Sequence, residues 1–348
     1  MSARKNYRYV AAVVIVLIVI AAGYFYYQST VPTASTTTTV AAKQFKMALL
    51  LPGPANDVSF NQGGYVAVKS VASALNSSSL NVQYVVNENV AVSDVERLER
   101  QYAQQGYNFI VAHGVEFQDQ TIRVAKDFPN VFFTVSAGFG NSTDNVAYTE
   151  PGFYKDGYLV GLVAAHLTKT GKIGFVYALD IPSYKAWFQN TKLGVEAVNK
   201  SLTFTGVATG DFNDVTKAKE ATQALISQGY DVIVNGGDGL GVGVISAAKD
   251  AGVWTTGAEW DQSALYPGKL YMSTVWNFTV AFEAMVHDVL TNGKFSMKVY
   301  PIDLNNGGCV PLLHIQLPAD VQAQYDQALA DLKSGKIHIV TAAEVSGS

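Results

Sequence analysis

From about residue 45 onward, short apolar runs alternate with longer segments in which apolar residues recur every three or four positions. The short runs predict strands and the longer segments predict amphipathic helices. Strands are expected at Met47–Leu51, Val82–Val86, Phe109–Ala112 and Val131–Val135. Helices are expected at Gly64–Leu75, Val92–Gln105 and Gln118–Phe128. This alternation predicts a parallel sheet with helices on both faces.

A second series of the same kind follows Glu150-Pro151-Gly152 and opens with a helix at Tyr154–Leu167. Its strands are expected at Ile173–Tyr177, Thr203–Val207, Val232–Val234 and Val253–Thr255. Its further helices are expected at Tyr184–Asn199, Thr216–Gln228 and Gly241–Ala251. The two series are similar in size, so the pattern predicts an α/β protein with two doubly wound lobes.

The N-terminus has a different pattern. Residues 9–27 contain no charged side chain, and Arg4, Lys5 and Arg8 precede them. This predicts one transmembrane helix at 9–27, with a basic cytoplasmic flank at 1–8 and an extracytoplasmic body. A cleaved signal peptide is the alternative, because Val10–Ala22 also has the length of an apolar signal region. Residues 28–44 are rich in Ser and Thr and are expected to be a spacer.

The composition and charge of the chain exclude several classes of function. The 348 residues are 49% hydrophobic and 15% charged, which suits two ordinary cores. A net charge of −4 without a basic block after residue 8 excludes nucleic acid as a partner. Cys309 is the single cysteine, which excludes disulfides and an N-terminal lipid-modified cysteine. The histidines lack metal-site spacing and no nucleophile–base motif occurs, so neither a metal, a cofactor nor catalysis is expected.

In doubly wound sheets, ligands bind beyond the carboxyl ends of the strands. The loop Pro52–Gly63 carries Asn56, Asp57, Ser59, Phe60 and Asn61, which combine polar groups with one flat ring. The same residues also suit a helix cap with Phe60 as a hydrophobic staple, and both interpretations stay open. The loop Asn235–Gly241 lacks the Lys-Ser/Thr of a P-loop, and its glycines allow backbone to approach a neighbour.

The stretch Asn56-Asp57-Val58-Ser59-Phe60-Asn61-Gln62 resembles the N-D-x-S-F-N-Q signature of the basic membrane protein family, the PnrA-like nucleoside-binding proteins of ABC importers. Further stretches that are similar to the family occur in its order, namely Gly157–Gly161, Lys169–Val176, Asp180–Pro182, Lys217–Glu220, Gly229–Ile233 and Asp261-Gln262. The resemblance covers roughly residues 46 to 312. It implies a type I periplasmic-binding-protein fold, with a hinge between the lobes and a purine nucleoside or nucleobase as ligand.

The resemblance also implies roles for individual residues. Phe60 and Trp187 match the aromatics that stack on the two faces of the purine. The other expected ligand-binding residues are Asn56, Asp57, Asn61, His113, Gly237, Asp238, Glu259, Trp276 and Asn277. Three positions depart from the family pattern, because Leu51 replaces an Asp, Glu259 replaces the carboxylate for the ribose hydroxyls and Asn277 replaces a Lys.

These observations predict the substrate-binding component of an ABC importer, with a monomeric body that passes its ligand to permease and ATPase subunits. Lobe 1 is expected at residues 45–149 with 276–303, and lobe 2 at 150–275 with 304–348. A single-pass anchor would hold the protein at the cell membrane. Two alternatives are a ligand-sensing ectodomain for a membrane partner and an exported nucleoside-processing enzyme. The enzyme is disfavoured because the motifs of an active site are missing.

Overall fold

A computed structural model of the chain describes residues 18, 20–27, 29–30, 42–140 and 143–346. Met1–Ala41 and Ala42–Ser348 form separate compact units. In the first unit, residues 18, 20–27 and 29–30 are helical, whereas residues 1–17, 19, 28 and 31–41 lie outside the described part. Among the described residues, no helix combines the length and the hydrophobicity needed to cross a bilayer. The transmembrane anchor therefore stays a prediction.

The elements of the second unit alternate as the apolar pattern predicts. Its strands are β1 (Lys43–Leu50), β2 (Leu80–Asn87), β3 (Phe109–Ala112), β4 (Phe132–Ser136), β5 (Val146–Pro151), β6 (Lys172–Tyr177), β7 (Thr203–Ala208), β8 (Val232–Gly236), β9 (Trp254–Glu259), β10 (Leu270–Trp276), β11 (Val299–Ile302) and β12 (Cys309–Leu313). Its helices are α1 (Phe60–Leu75), α2 (Val95–Gln104), α3 (Gln118–Asp127), α4 (Phe153–Leu167), α5 (Pro182–Val198), α6 (Val215–Ser227), α7 (Gly241–Ala251), α8 (Thr279–Asn292), α9 (Ala319–Lys333) and α10 (Ala342–Ser346).

The strands form two sheets with the same topology. Their orders are β11-β5-β4-β3-β1-β2 and β12-β10-β9-β8-β6-β7. Neighbouring strands are parallel except for β10 and β12, which pair antiparallel. The predicted pair of parallel-sheet α/β lobes is thereby confirmed, and we call the lobe around the first sheet lobe 1 and the other lobe 2. In each sheet the strand order reverses direction beside the first strand, and ligands bind at such a point in doubly wound sheets.

The chain crosses between the lobes three times. It crosses after β5 into α4, which packs on α5; after β10 into α8, which packs on α1; and between β11 and β12. The crossing segments are hydrogen-bonded to one another, since the Gly152 amide donates to the Ile302 carbonyl (2.6 Å) and the Asn277 amide donates to the Gly308 carbonyl (2.7 Å). We call these three segments, which comprise residues 152, 277–278 and 302–308, the hinge.

Several boundaries differ from the predicted ones by up to four residues, and two of these differences lie next to the site. β1 begins at Lys43, because exposed polar residues continue its pairing with β2 past the apolar run. α1 begins at Phe60 instead of Gly64, because residues of the preceding loop supply its first hydrogen bonds.

Candidate ligand-binding site

The loop between β1 and α1 is fixed by Asp57. The Asp57 carboxylate accepts hydrogen bonds from the backbone amides of Ser59 (2.8 Å), Asn61 (3.0 Å) and Gln62 (3.0 Å). It also accepts one from the Asn61 side-chain amide at 2.7 Å. Free amides at a helix start need such acceptors. The structure thus gives Asp57 the capping role that the sequence leaves open as the alternative to ligand contact.

Phe60 and His113 form an aromatic wall on lobe 1. The two rings stack with centroids 4.0 Å apart, and Trp276 and Phe278 meet the Phe60 ring edge-on. The wall is close-packed, because a Cβ added to Gly64 would lie 2.6 Å from the imidazole of His113. His113 is fully buried, whereas Phe60 is 9% exposed.

The hydrogen bonds of His113 define its tautomer. Nε2 lies 2.8 Å from the Phe60 carbonyl, which can only accept, so Nε2 carries the proton. Nδ1 then accepts from the Ser136 hydroxyl at 2.8 Å. Burial lowers the pKa of His113 to about 4. The imidazole is therefore neutral near pH 7, and it supports the Phe60 ring from behind.

The facing wall of lobe 2 is acidic. Asp238, on the turn after β8, and Glu259, at the end of β9, lie within hydrogen-bonding reach of each other. Burial raises the pKa of Glu259 to about 7, and burial together with the Glu259 carboxylate raises the pKa of Asp238 well above its usual value. The raised pKa of Asp238 keeps a proton on the pair, which Asp238 can donate to the Glu259 carboxylate. Such a pair can accept hydrogen bonds from a ligand and can also donate one.

Tyr184 belongs to this acidic wall, although the sequence did not single it out. A Cβ added to Gly237 would lie 2.5 Å from the Tyr184 hydroxyl oxygen, so the backbone at Gly237 passes directly beside the ring. Gly237 also has a φ of +128°, which a side chain would strain. Burial raises the pKa of Tyr184 well above its usual value, and the carboxylates of Asp238 and Glu259 add to that shift.

The two walls meet at the start of α1. The Ser59 hydroxyl of lobe 1 donates to Glu259 of lobe 2 at 2.8 Å. The Gln262 side-chain amide of lobe 2 donates to the Val58 carbonyl of lobe 1 at 2.9 Å. Ser59, Glu259 and Gln262 are all at most 1% exposed, so these contacts between the lobes are closed to water.

Gln262 organises this side of the site. Its side-chain oxygen accepts hydrogen bonds from the Ala258 amide (3.0 Å) and from the Asn235 side chain (3.2 Å). The Asp261-Gln262 pair is one of the stretches that resemble the family, so the sequence carried a signal for it. Ser59 lay within the first such stretch, but a serine before a helix usually indicates only a cap.

Three candidate residues lie away from the two walls. Trp187 is 1% exposed and packs in the core of lobe 2, with its ring edge-on to Phe175. The absence of a side chain at Gly157 creates this space, because a Cβ there would lie 2.7 Å from the indole. Asn277 lies in the hinge, where its side chain bonds the Gly307 carbonyl and the Thr279 amide. Asn56 is exposed in the loop before α1.

Trp276 lies at the edge of the aromatic wall, and its ring centroid is 6.2 Å from that of Phe60. It also borders a groove of about 250 Å³ that is lined by Trp260, Trp276, Asn277, Phe278 and hydrophobic residues of α1 and β12. The structure therefore brings together Phe60, His113 and Trp276 on one wall and Gly237, Asp238 and Glu259 on the other.

Comparison with known proteins gives sequence relatives with different named ligands. A protein of Haloferax volcanii named as an ABC transporter glucose-binding protein, TsgA13, is 30% identical over 70% of this chain, although the match covers only 61% of TsgA13. A purine-binding protein of Brucella abortus is 26% identical over 86% of this chain and 84% of its own length. The nucleoside-binding protein BmpA of Lactococcus lactis is 26% identical over 82% of this chain and 85% of its own.

A comparison with solved structures and a match to a protein family agree with these sequence relatives. The solved structure of an ABC transporter solute-binding protein from Conexibacter woesei superposes with a TM-score of 0.68 at 25% identity, over 86% of this chain and 99% of that one. The family described as PnrA-like ABC transporter substrate-binding proteins matches residues 44–337. Its members bind substrates for transport and are not enzymes, which confirms the non-catalytic prediction. The chain therefore belongs to the PnrA-like family of ABC transporter substrate-binding proteins.

Proposed function

We propose that this protein captures a purine nucleoside or a purine base between its lobes and delivers it to the permease and ATPase subunits of an ABC importer. The observation that carries this proposal is the Ser59–Glu259 hydrogen bond, which brings the acidic wall to the residue next to Phe60 in the aromatic wall. A flat ring next to hydrogen-bonding carboxyl groups suits a heteroaromatic ligand that carries N–H or O–H donors.

The aromatic partner on lobe 2 differs from the residue that the resemblance implied. Trp187 is enclosed by Gly157 and Phe175, so a ligand could reach it only if α4 and α5 separated. Tyr184 lies one helical turn earlier on α5, beside the carboxylates of the acidic wall. We therefore assign Tyr184, in place of Trp187, to the ligand-facing side of lobe 2.

The names of the relatives support a purine without restricting the ligand to one. Relatives named for purine and for nucleoside binding favour the proposal, whereas TsgA13 is named for glucose. Glucose offers hydroxyl donors to the acidic wall but no aromatic ring to Phe60. The membrane anchor at residues 9–27, the extracytoplasmic position of the body and its monomeric state remain predictions from the sequence.

Calorimetric titration of the full-length protein tests the ligand class. Adenosine, guanosine, inosine and adenine are the purine ligands, and glucose is the comparison. We expect saturable heat with at least one purine and none with glucose. Heat with glucose alone, or with none of the five compounds, would contradict the proposal.

Variants at Phe60 test the stacking role. Phe60→Leu keeps an apolar side chain against His113 but removes the flat face, so we expect at least a tenfold weaker purine affinity with a retained fold. Phe139→Ala is the matched control, because that phenylalanine is 68% exposed on a loop of the same lobe. Equal affinities for the two variants would argue against stacking on Phe60.

A further inference from the structure

Two side-chain hydrogen bonds join the walls of the site, and both come from the same two short segments. On lobe 1, Val58 and Ser59 immediately precede α1, and on lobe 2, Glu259 and Gln262 lie at the end of β9 and just after it. Ser59 donates to Glu259 at 2.8 Å, and Gln262 donates to the Val58 carbonyl at 2.9 Å. Both hydrogen bonds join a residue of lobe 1 to a residue of lobe 2, some two hundred positions away in sequence. They therefore exist only while the lobes are closed.

Each of these segments contains a residue in the left-handed backbone region. Val58 has a φ of +56° and Glu259 has a φ of +68°. For side-chain-bearing residues, and above all for a β-branched valine, this conformation is strained. It persists where surrounding contacts hold it, and here the hydrogen bonds between the lobes involve the carbonyl of one strained residue and the side chain of the other.

The groups that face Glu259 are mostly acidic. Asp238 approaches from the turn after β8, Asp57 from the loop before α1, and Glu116 from the turn after β3 through its effect on Asp238. Tyr184 approaches from α5. Two carboxyl groups as close together as Asp238 and Glu259 cannot both be ionised while they are shielded from water.

We propose that Ser59, Glu259 and Asp238 form a proton-dependent latch, which helps to hold the lobes closed. Closure takes up a proton that Asp238 and Glu259 share, and it leaves Glu259 as the acceptor for Ser59. Opening exposes the pair to water and releases that proton. This deepens the proposed function, since the latch lies at the site where the ligand would enter and a bound ligand would replace the Ser59–Glu259 contact.

The direction of the pH dependence follows from the proton count. In the open form, hydrated carboxyl groups titrate at about 4, whereas in the closed form the Glu259 carboxyl titrates at about 7. The pKa of Asp238 is raised as well, so the closed pair keeps one proton when Glu259 ionises at about 7. The closed form therefore binds more protons than the open form above about pH 4, and the closed population rises as the pH falls, most steeply below about 7. For one proton, the ratio of closed to open molecules changes by up to about tenfold per pH unit.

Energy transfer between the lobes of the ligand-free, full-length protein tests the latch. Dyes are attached through Ser93→Cys on lobe 1 and Thr216→Cys on lobe 2, which are exposed positions near the ends of edge strands, whereas Cys309 is buried. We expect the closed fraction to increase as the pH is lowered from 8 to 5. Glu259→Gln removes one of the two titrating groups but retains an acceptor for Ser59, and we expect its closed fraction to depend less on pH over that range than that of the parent.

Two further variants make the result specific. Asp250→Asn neutralises an exposed carboxylate that pairs with Lys219, and it should retain the pH response of the parent. Ser59→Ala removes the donor and should lower the closed fraction at every pH. A closed fraction that does not change with pH in the parent, or a full pH response in Glu259→Gln, would overturn the latch. Because no ligand is added, a failure of purine binding would leave this result unaffected.

Discussion

At the scale of single residues, His113 packs behind Phe60 and fixes its position in the candidate site. The imidazole covers one face of the Phe60 ring and bonds the Phe60 carbonyl, so it fixes both the side chain and the backbone at the start of α1. The histidine loop after β3 was expected to contact the ligand. The sequence alone does not distinguish a histidine that contacts the ligand from one that supports the Phe60 ring, because both roles place a histidine at the end of a central strand.

This arrangement predicts a pH-dependent stability. His113 takes up a proton at about pH 4 in the folded protein and at about pH 6.5 in the unfolded chain, so the unfolded chain binds more protons between these values. The free energy of unfolding should therefore fall as the pH is lowered from about 6.5 to about 4, with His113 contributing about 3 kcal/mol of that loss. Urea titrations at several pH values measure it.

Two variants distinguish the contribution of His113 to the pH dependence of stability from the contributions of other titrating groups. His113→Gln retains a donor for the Phe60 carbonyl but does not titrate, so its stability should depend less on pH than that of the parent. His287→Gln changes an exposed histidine on α8 and should retain the pH dependence of the parent. Parallel curves for the parent and His113→Gln would show that the imidazole is not the source.

At the scale of elements, α1 depends on the Asp57 cap. Asp57→Ala removes three acceptor contacts to backbone amides, so we expect a loss of about 1–2 kcal/mol in the free energy of unfolding. Asp94→Ala is the matched control, because Asp94 precedes α2 without a side-chain capping bond and makes only a surface pair with Arg97. That change should cost less than about 0.5 kcal/mol. Similar losses in urea denaturation of both variants would contradict the cap.

The sequence predicted the βα elements better than the elements near the hinge. Strands such as β3 and β8 are buried apolar runs, so their residues alone reveal them. By contrast, β11 and β12 are short and contain Pro301 and Pro311, which obscure the apolar pattern of a strand. For the candidate site, the sequence indicated Phe60 because it lies in a stretch that resembles the family, and the structure places it at the start of α1. Trp187 illustrates the limit, because its burial depends on Gly157 of a different helix.

For the whole molecule, the hinge predicts cooperative unfolding. Each sheet contains a strand that follows a crossing from the other lobe, and the hinge segments are hydrogen-bonded together. Unfolding of one lobe would therefore loosen the hinge hydrogen bonds beside the late strand of the other. All four tryptophans belong to lobe 2, and Trp276 is the last residue of its strand β10. Far-ultraviolet circular dichroism, by contrast, reports on both lobes. We expect both signals to give the same urea midpoint. An earlier or later midpoint by fluorescence would show that the lobes unfold separately.

The late position of β11 and β12 also imposes an order on biosynthesis. A ribosome makes lobe 1 residues first, yet β11, the outer neighbour of β5, is made only after nearly all of lobe 2. The sheet of lobe 2 likewise lacks β12 until Cys309–Leu313 has been made. The first sheet is thus incomplete while β6 to β10 of lobe 2 are made, the second is incomplete until β12 is made, and such open edges are where chains aggregate. A factor that covers these edges during synthesis would protect this protein more than it would protect one whose lobes are continuous in sequence.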